Sequence, residues 1–317
     1  MTLASVIVPS WNGAHLLAAC LTSLESQTYQ QVEVIVADGG SSDDSAGLVA
    51  CSFPGVRFLR LERNRGFAGN VNAGLRAAHG ATLLLLNNDA VAEPEWVERC
   101  VAVLDERPAV GSVAGKVLFQ DRRTINSAGD LIGLDGAPRQ RGAGQSDGPA
   151  WSRPGPVFGA MGGAAAYRRA MLADVGLLDE SFFMYLEDVD LAFRAQLRGW
   201  TCHYEPAARV YHRGGASGGG TLESYWNGRN LIRLLAKNVP SGLVPRLLPA
   251  MVFCQLGRAR AALGAWRGAA ARATLRGQIA GLALLPDHLA ARGPVQAGRR
   301  VSDAYVYGLL AAAARRL

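Results

Sequence analysis

The sequence has no closely spaced pair of cysteines. Its 317 residues include five cysteines, which are scattered along the chain as Cys20, Cys51, Cys100, Cys202 and Cys254. Zinc knuckles and disulfide frameworks both depend on cysteines at short or recurring spacings. The pattern therefore argues against either kind of scaffold and favours a protein that folds in a reducing compartment.

Long apolar runs are also missing. The longest uncharged apolar stretches, such as residues 247–257, are well short of the ~20 residues that a membrane-spanning helix requires. The N-terminal segment has no basic region, and its one short apolar run ends at Pro9, so it does not resemble a signal peptide. We therefore expect a cytoplasmic protein.

Acidic residues become rare towards the C-terminus. Residues 242–317 contain 11 arginines but only Asp287 and Asp303 as acids, whereas residues 1–241 contain 22 basic and 24 acidic residues. The whole basic excess, with a net charge of +9, thus lies in the last part of a chain whose net charge is +7. Because the composition changes near Pro240, we predict a domain over residues 1–240 and a basic helical extension over residues 241–317.

Strand-length apolar runs alternate with helical spacing in the first third of the chain. The runs lie at 5–8, 32–37, 56–59 and 81–86. Helical spacing occurs at 15–27 and 69–78. This alternation is typical of an α/β domain with a largely parallel sheet, in which ligands bind beyond the carboxyl ends of the strands.

The rest of the chain is less regular. Residues 120–156 are rich in Gly, Arg and Pro, and they predict long loops or a hairpin over the mouth of the sheet. Helical spacing returns at 187–198, and a glycine-rich stretch at 214–220 precedes a further helix near 222–237. The loops around 120–160 and 213–220 are therefore the segments expected to select the substrates.

Three polar clusters follow predicted strands, at 9–12, 38–45 and 87–89. The second reads DGGSSDDS, and it is equally suited to close approach of a ligand and to a turn that caps the next helix through Ser42 or Asp43. A further segment, NRGFAGNVNAG at 64–74, opens a helix with glycines and asparagines. It suits a polar or anionic ligand, but it is not the GxGxxG motif of nicotinamide enzymes.

The third cluster follows four leucines and reads Asn87-Asn88-Asp89. A lone carboxylate at a strand end could bind Mg²⁺ or Mn²⁺ together with substrate phosphates, or it could form an Asx turn that caps a helix over 94–104. His212 ends the predicted strand ARVYH. A single histidine is more often structural, but at this edge of a sheet it could also bind Mn²⁺.

Three acids, Glu187, Asp188 and Asp190, begin the predicted helix at 187–198. Acidic residues favour a helix N-terminus, but one or two would suffice. Crowding them beside aromatic residues raises the pKa of a carboxyl group, as a general base requires. We assign Asp190 to a structural ion pair with Arg194, four residues later, and Asp188 to the chemistry.

Seven segments taken together resemble the family 2 glycosyltransferases, and among these the rhamnosyltransferase-like subgroup. They span about residues 3–238 in the order SVIVPSWNG, ADGGSSDDS, NRGFAGNVNAG, LLLLNNDA, GGAAAYRR, GLLDESFFMYLEDVDLAFRAQLRGW and VYHRGG. The resemblance implies a Rossmann-like α/β domain of the GT-A fold. It also implies that a sugar is transferred with inversion from a nucleotide-diphosphate donor.

The resemblance implies roles for individual residues as well. Asp188 matches the catalytic base of an xED motif, Asp89 the metal-binding carboxylate of a DxD motif, and His212 a histidine that completes the metal site. The donor-side positions are Pro9, Ser10, Trp11, Asp38, Asn64, Asn87 and Asn88. The acceptor-side positions are Gly162, Gly163, Ala164 and Glu187. The first acid of DxD is Asn87 here, as in the NND forms of rhamnosyltransferase-like relatives.

The predicted function is therefore metal-dependent transfer from a UDP- or dTDP-sugar, with dTDP-rhamnose as one candidate donor, to a saccharide or polyprenyl-linked saccharide in the synthesis of a cell wall or surface polysaccharide. The alternatives are a non-catalytic nucleotide-sugar or saccharide-binding protein of the same fold, and a nucleotidyltransferase. The basic extension suits either an anionic membrane surface or packing on the catalytic domain. We expect no nucleic-acid partner, because no known reading motif is present.

Overall fold

The structure, a computed structural model, describes residues 2–214 and 220–313. Residues 215–219 of the glycine-rich stretch lie outside the described residues. The strands are β1 Ala4–Ser10, β2 Val32–Asp38, β3 Arg57–Arg60, β4 Thr82–Leu86, β5 Ala90–Ala92, β6 Val110–Phe119, β7 Ile125–Ser127, β8 Asp130–Ile132, β9 Pro138–Gln140, β10 Gly155–Val157, β11 Ala164–Arg168 and β12 Thr201–His212.

The helices pack on both faces of the sheet and, after residue 220, on one another. They are α1 Ala14–Glu25, α2 Ser45–Ser52, α3 Gly66–Ala77, α4 Trp96–Glu106, α5 Arg169–Val175, α6 Glu187–Leu197, α7 Gly220–Asn238, α8 Val244–Gly264, α9 Ala269–Ala283, α10 Leu285–Ala290, α11 Arg292–Ala297 and α12 Asp303–Ala313. The helices and strands predicted from spacing are confirmed, with bounds that shift by a few residues.

The main sheet has the strand order β10-β12-β6-β11-β4-β1-β2-β3. Strands β4, β1, β2 and β3 are parallel, as predicted, and so are β12 and β6. The expectation of a largely parallel sheet is wrong at β11, which runs antiparallel to both β4 and β6. No α-helix lies between β6 and β11 to return the chain to the opposite edge, so β11 re-enters from the edge at which β6 ends.

The central strands are buried on both faces. All five residues of β4 and all seven of β1 are inaccessible, and successive side chains point to opposite layers. Val6 and Val8 pack in the core beneath α1 and α4, whereas Ile7 packs with α3 on the other face. The four leucines of β4 thus form a strand because both faces of the sheet are covered with helices.

The irregular segment 120–156 contains the predicted hairpin. Strands β8 and β9 pair antiparallel, with Asp130 opposite Gln140. The backbone of Asp130 also exchanges hydrogen bonds with Gly159 and Phe158, at 2.9 and 3.2 Å. This hairpin therefore fixes Asp130 next to the segment around Gly159, which leads into β11.

The C-terminal helices pack on the preceding domain. Residues from both sides of position 240, such as Phe193 and Leu310, share one apolar core. Tyr305 Oη donates to Gln196 Oε1 at 2.8 Å, and the Arg300 amide donates to the Leu197 carbonyl at 2.8 Å. Among the described residues no single helix is long and apolar enough to cross a membrane; the segments Gly220–Asn238 and Ser241–Gly264 pass that test only together, across a bend of 109°.

Candidate active site

A cavity of about 430 Å³ opens beyond the carboxyl ends of β4 and β12. It brings together residues that lie far apart in the sequence. The predicted site residues in its lining are Asn87, Asp89, Gly162, Gly163, Glu187, Asp188 and His212. The pairing of β5 with β12 brings Asp89 and His212 together, because it places His212 opposite Ala90, the residue after Asp89.

Asp89 and His212 form the side of the cavity nearest the sheet. His212 Nε2 lies 3.1 Å from Asp89 Oδ1, and Asn87 Nδ2 lies 3.4 Å from the same ring nitrogen. The Asp89–His212 contact does not have the geometry of a hydrogen bond, so this buried carboxylate oxygen has no donor among the residues described. Asp89 does not cap α4 either, since the N-cap residue of that helix is Glu95.

The donor atoms of this pair suit a divalent cation. His212 Nδ1 lies 3.0 Å from Asn126 Oδ1, and an N–H at Nδ1 that donates to this amide leaves the lone pair at Nε2 facing Asp89. One carboxylate and one imidazole are acceptable Mn²⁺ ligands, and an unpartnered buried oxygen is what such an ion would satisfy. No group of three acidic, histidine or cysteine side chains is arranged for a metal within residues 2–214 and 220–313. Phosphate oxygens of a substrate would have to complete the shell.

Asp188 lines the same cavity, at the start of α6. Its Oδ2 accepts a hydrogen bond from the Gly162 amide at 2.7 Å, and its Oδ1 accepts one from the Val189 amide at 2.8 Å. A Cβ at Gly162 would lie 3.1 Å from the Asp188 Cβ, so a glycine is needed for this close approach. Protein surrounds Asp188 on most sides, yet the residue remains partly accessible from the cavity.

Three carboxyl groups share this pocket, and their environments differ. Burial raises the pKa of Asp188, and its backbone hydrogen bonds offset part of that rise. Burial, together with the negative charge of Asp188, raises the pKa values of Asp130 and Glu187 well above their usual range. One oxygen of each of these two side chains lacks a partner among the described residues. Asp188 is therefore the group whose ionised form the protein stabilises best.

The segment before Asp188 has a strained backbone. Phe183, Tyr185 and Leu186 have φ angles of 63°, 66° and 68°, and each such residue costs about 1–3 kcal/mol. Asn230 on α7 compensates, because its buried Nδ2 lies 2.9 Å from the carbonyl oxygens of Phe182, Met184 and Tyr185. The start of α6 is thus fixed by a side chain that is more than 40 residues distant in the sequence.

Asp190 has the structural role predicted for it. Its Oδ2 accepts from Arg194 Nε at 2.8 Å and from Lys237 Nζ at 2.9 Å, and its Oδ1 accepts from Asn238 Nδ2 at 2.8 Å. Burial would raise the pKa of Asp190, but the charges of Arg194 and Lys237 and the Asn238 hydrogen bond lower it further, to below the ordinary value. The fully buried carboxylate therefore joins α6 to α7 instead of facing the cavity.

The remaining predicted residues do not line this cavity. Ala164 is buried in β11, opposite Leu86. The predicted donor residues other than Asn87 lie at or next to the ends of β1 to β4, and these are Pro9, Ser10, Trp11, Asp38, Asn64 and Asn88. Ser10 is paired with Asp38 in the sheet, and its Oγ accepts a hydrogen bond from Asn88 Nδ2 at 3.2 Å. The indole-bearing Trp11 is 55% exposed.

The cluster 38–45 forms the predicted turn. Asp38 Oδ2 accepts hydrogen bonds from the amides of Gly40 and Ser41, at 3.1 and 2.9 Å, and Asp43 Oδ1 accepts from the amide and hydroxyl of Ser45 at the start of α2. The N-cap residue itself is Asp44, not Ser42 or Asp43. The contact of Asp38 with a nucleoside stays a prediction.

Three residues of the site could not be identified from the pattern of the sequence. Asp130 and Asn126 lie in the irregular segment, where no periodicity indicates which side chains point inward, and Asn230 lies inside a helix. Each contributes only through a contact that the folded chain creates, such as the bond between Asn126 and His212. Asn230 shares the buried side of α7 with Arg233 and Lys237, so it does not stand out from its neighbours in the sequence.

The order of the strands and the helices on both faces of the sheet are those of the GT-A fold of glycosyltransferases. A mannosyltransferase from Pyrobaculum calidifontis, solved with GDP-Man and Mn²⁺, has this fold; it superposes with a TM-score of 0.58 at 21% identity over 99% of this chain and 86% of that one. The chain belongs to the family described as glycosyl transferase family 2, whose profile matches residues 5–176.

Two curated relatives differ in how much of their length the chain covers. The N-acetylglucosaminyl-diphospho-decaprenol L-rhamnosyltransferase of Mycobacterium tuberculosis is 27% identical over 321 residues, 93% of this chain and 95% of that protein. A protein of Sinorhizobium fredii is 31% identical over 237 residues, and there the chain spans only 25% of the relative's length. The first alignment includes most of the C-terminal helices, whereas the family profile ends before them.

Proposed function

We propose that the protein transfers a sugar, with inversion, from a nucleotide-diphosphate donor to a hydroxyl of a lipid-linked saccharide, with a divalent cation at Asp89 and His212. The observation that supports this is the placement of Asp188 and the Asp89–His212 pair in one cavity. A sugar hydroxyl is a poor nucleophile, and a nucleoside diphosphate leaves with growing negative charge. A base and a cation site that face the same space meet both needs.

The residues of the cavity divide this work. Asp188 accepts the proton of the acceptor hydroxyl. The amides of Gly162 and Val189 hold its carboxylate in place for this step. Asp89 and His212 hold the cation, which when bound would offset the charge of the diphosphate. Asn126 keeps the His212 ring in the orientation that presents Nε2. Glu187 and Asp130 border the space where the acceptor would lie.

The candidate substrates follow from the relative that the chain matches over nearly its whole length. That relative is named for L-rhamnosyl transfer to a decaprenol-linked sugar. We propose a UDP- or dTDP-sugar as donor, with dTDP-rhamnose as the first candidate, and a polyprenyl-diphosphate saccharide as acceptor, within the synthesis of a cell-wall or surface polysaccharide. Either Mg²⁺ or Mn²⁺ suits the oxygen and nitrogen ligands, and the cytoplasmic side of the membrane is the proposed location.

Thermal-shift measurements with nucleotide sugars test the donor. We expect one of dTDP-rhamnose, UDP-sugars and GDP-mannose, with Mn²⁺, to stabilise the protein by the increment that mass action gives, about 2.7 kcal/mol at 100 times the dissociation constant. The selected donor should then transfer its sugar to a polyprenyl-diphosphate N-acetylglucosamine acceptor. If the protein binds a donor but neither transfers its sugar nor slowly hydrolyses it under any condition, a non-catalytic binding protein would be favoured instead.

The basic extension is proposed to rest on an anionic membrane surface. Ten of the twelve exposed large apolar side chains in the described residues lie beyond residue 242, among them Phe253, Leu263 and Trp266. Arginines on the same helices would add an attraction of about 1 kcal/mol each near anionic lipids. The extension shares a core with the catalytic domain, so it both packs on that domain and exposes an apolar surface.

Vesicle flotation of point variants tests this surface without removing any helix. We expect replacement of Phe253, Leu263 and Trp266 by aspartate to reduce flotation with phosphatidylglycerol vesicles at least tenfold. The matched control is Leu222→Asp, since Leu222 is also exposed, at 44%, but lies on α7. Equal flotation of the triple variant and the wild type would show that these residues make no membrane contact.

A further inference from the structure

A second cavity, larger than the catalytic one, lies between α7, α8, α9 and α10. Its volume is about 830 Å³, within the range of roughly 300–1,000 Å³ that is usual for sites binding small molecules. Apolar side chains form nearly all of its wall, with Gln255, Gln278, Ser241 and Arg292 as the polar exceptions. We call this cavity the helical groove.

The rim of the helical groove is unusually exposed. Six large apolar side chains that line it are 45–67% accessible, and these are Leu248, Val252, Leu256, Ile279, Leu282 and Leu289. They recur at intervals of four residues on α8 and of three on α9, so each helix presents a continuous apolar stripe. Soluble chains rarely leave so many apolar side chains around one concavity uncovered. The groove therefore has the form of a site for an apolar chain.

Charge indicates what kind of apolar molecule would fit. Residues 242–317 have a net charge of +9, so a second copy of the chain seated on the groove would bring two strongly basic surfaces together. Arg292 lines the groove, and Arg258 Nε on α8 is buried with no hydrogen-bond partner among the described residues. These features favour an amphiphile whose head group is anionic.

Two elements of the fold contribute residues to both the groove and the catalytic cavity. On α7, Asn227 lines the catalytic cavity and Leu235 lines the groove, about 12 Å further along the helix axis at 1.5 Å per residue. The β8–β9 hairpin makes the second link, because Gly136 at its turn packs on Leu235, whereas Arg139 lines the catalytic cavity. Burial and the charge of Asp135 raise the pKa of Cys254 on α8, and the charges of Arg258 and Arg139 oppose that rise, so two arginines and one acid lie around this part of α8. Asp135 is ion-paired with Arg139, whereas Arg258 Nε has no hydrogen-bond partner among the described residues.

We propose that the helical groove binds the isoprenoid chain of the acceptor, while its diphosphate lies near Arg139 and Arg258 and its sugar reaches Asp188. This inference rests on the proposed function, because it assigns a site to the lipid part of that acceptor. Binding in the groove differs from the proposed membrane contact. The groove takes up one isoprenoid chain, whereas the exposed face around Phe253 meets the lipid surface. An isoprenoid diphosphate should then bind in the absence of any membrane.

Direct binding of a fluorescent C20 isoprenyl diphosphate, below the concentration at which it forms micelles, tests the groove. We expect saturable binding to the wild-type protein and at least tenfold weaker binding to the double variant Val252→Asp, Ile279→Asp. The matched control is Phe253→Asp, because Phe253 neighbours Val252 on α8 and is 79% exposed but does not line the groove. It should bind the probe within twofold of the wild type.

Several outcomes would overturn the inference. These are unchanged binding by the double variant, an equal loss in Phe253→Asp, tighter binding of a labelled phosphatidylglycerol than of the isoprenyl probe, and a dimer in sedimentation that the double variant abolishes. A cooperative thermal unfolding transition close to that of the wild type shows that the double variant is folded, and the milder Val252→Ser, Ile279→Ser pair replaces it if it is not. The assay needs neither donor nor turnover, so its failure is distinct from failure of the proposed function.

Discussion

Asp188→Asn should lower the rate of sugar transfer by about 10³-fold, within the 10²–10⁴-fold range that a positioned general base contributes. The asparagine amide cannot accept the proton of the acceptor hydroxyl, while its size preserves the packing against Gly162. Affinity for the nucleotide sugar should stay within about twofold, because the proposed role of Asp188 is toward the acceptor and not toward the donor. The measurements are single-turnover transfer rates and donor titrations by calorimetry.

The pH profile distinguishes a base from a packing residue. The raised pKa of Asp188 predicts that the wild-type rate falls as the pH drops through that pKa, because a protonated carboxyl group cannot accept the proton. Asp130→Asn is the matched control, since Asp130 is a buried carboxyl in the same cavity, and burial together with the charge of Asp188 raises its pKa well above the usual range. It should cost less than tenfold and leave the acidic limb in place. A larger loss in Asp130→Asn than in Asp188→Asn would move the base to Asp130.

Local rules were sufficient to place Asp89, His212 and Asp188 at the ends of strands and at the start of a helix, whereas their roles were implied by the resemblance of seven segments to a family and stay predictions. A buried strand must end in a polar turn, and Asp89 is the one acid in that turn. His212 ends a strand that leads to the same edge, and the crowded acids at 187–190 exceed what a helix start requires. These positions depend only on where strands and helices begin and end, and the sequence pattern predicts those ends.

The parts that could not be predicted depend on long-range packing. The orientation of β11 follows from a helix-free connection of more than 40 residues, and the contribution of Asp130 depends on how that connection folds. The apolar and charged positions of 256–276 do not separate into two faces. The structure gives the reason: within this range the end of α8 meets the helical groove and solvent, whereas α9 meets α7, the groove and solvent, so the surroundings are of more than two kinds.

Asp89→Ala should abolish metal-dependent transfer, with a loss of about 10³-fold, because a bound cation contributes several kcal/mol and each 1.36 kcal/mol is tenfold in rate. The alanine removes the sole carboxylate beside His212. Electron paramagnetic resonance of Mn²⁺ in the presence of the nucleotide gives a readout that does not depend on turnover. Unchanged Mn²⁺ affinity and an unchanged Mn²⁺ dependence of the rate would exclude Asp89 as a ligand.

Asn126→Ala should weaken Mn²⁺ binding less than Asp89→Ala does. The comparison would show why one carboxylate is enough for the ion. Loss of a partner that orients a ligating histidine typically weakens metal binding 10–100-fold, so Mn²⁺ affinity should fall by about tenfold while the Asp89 carboxylate remains. If His212 were only a packing residue, the same variant would change stability but not Mn²⁺ binding. A single acid can serve at this strand end because an oriented imidazole stands 3.1 Å from it and substrate phosphates can supply the remaining ligands.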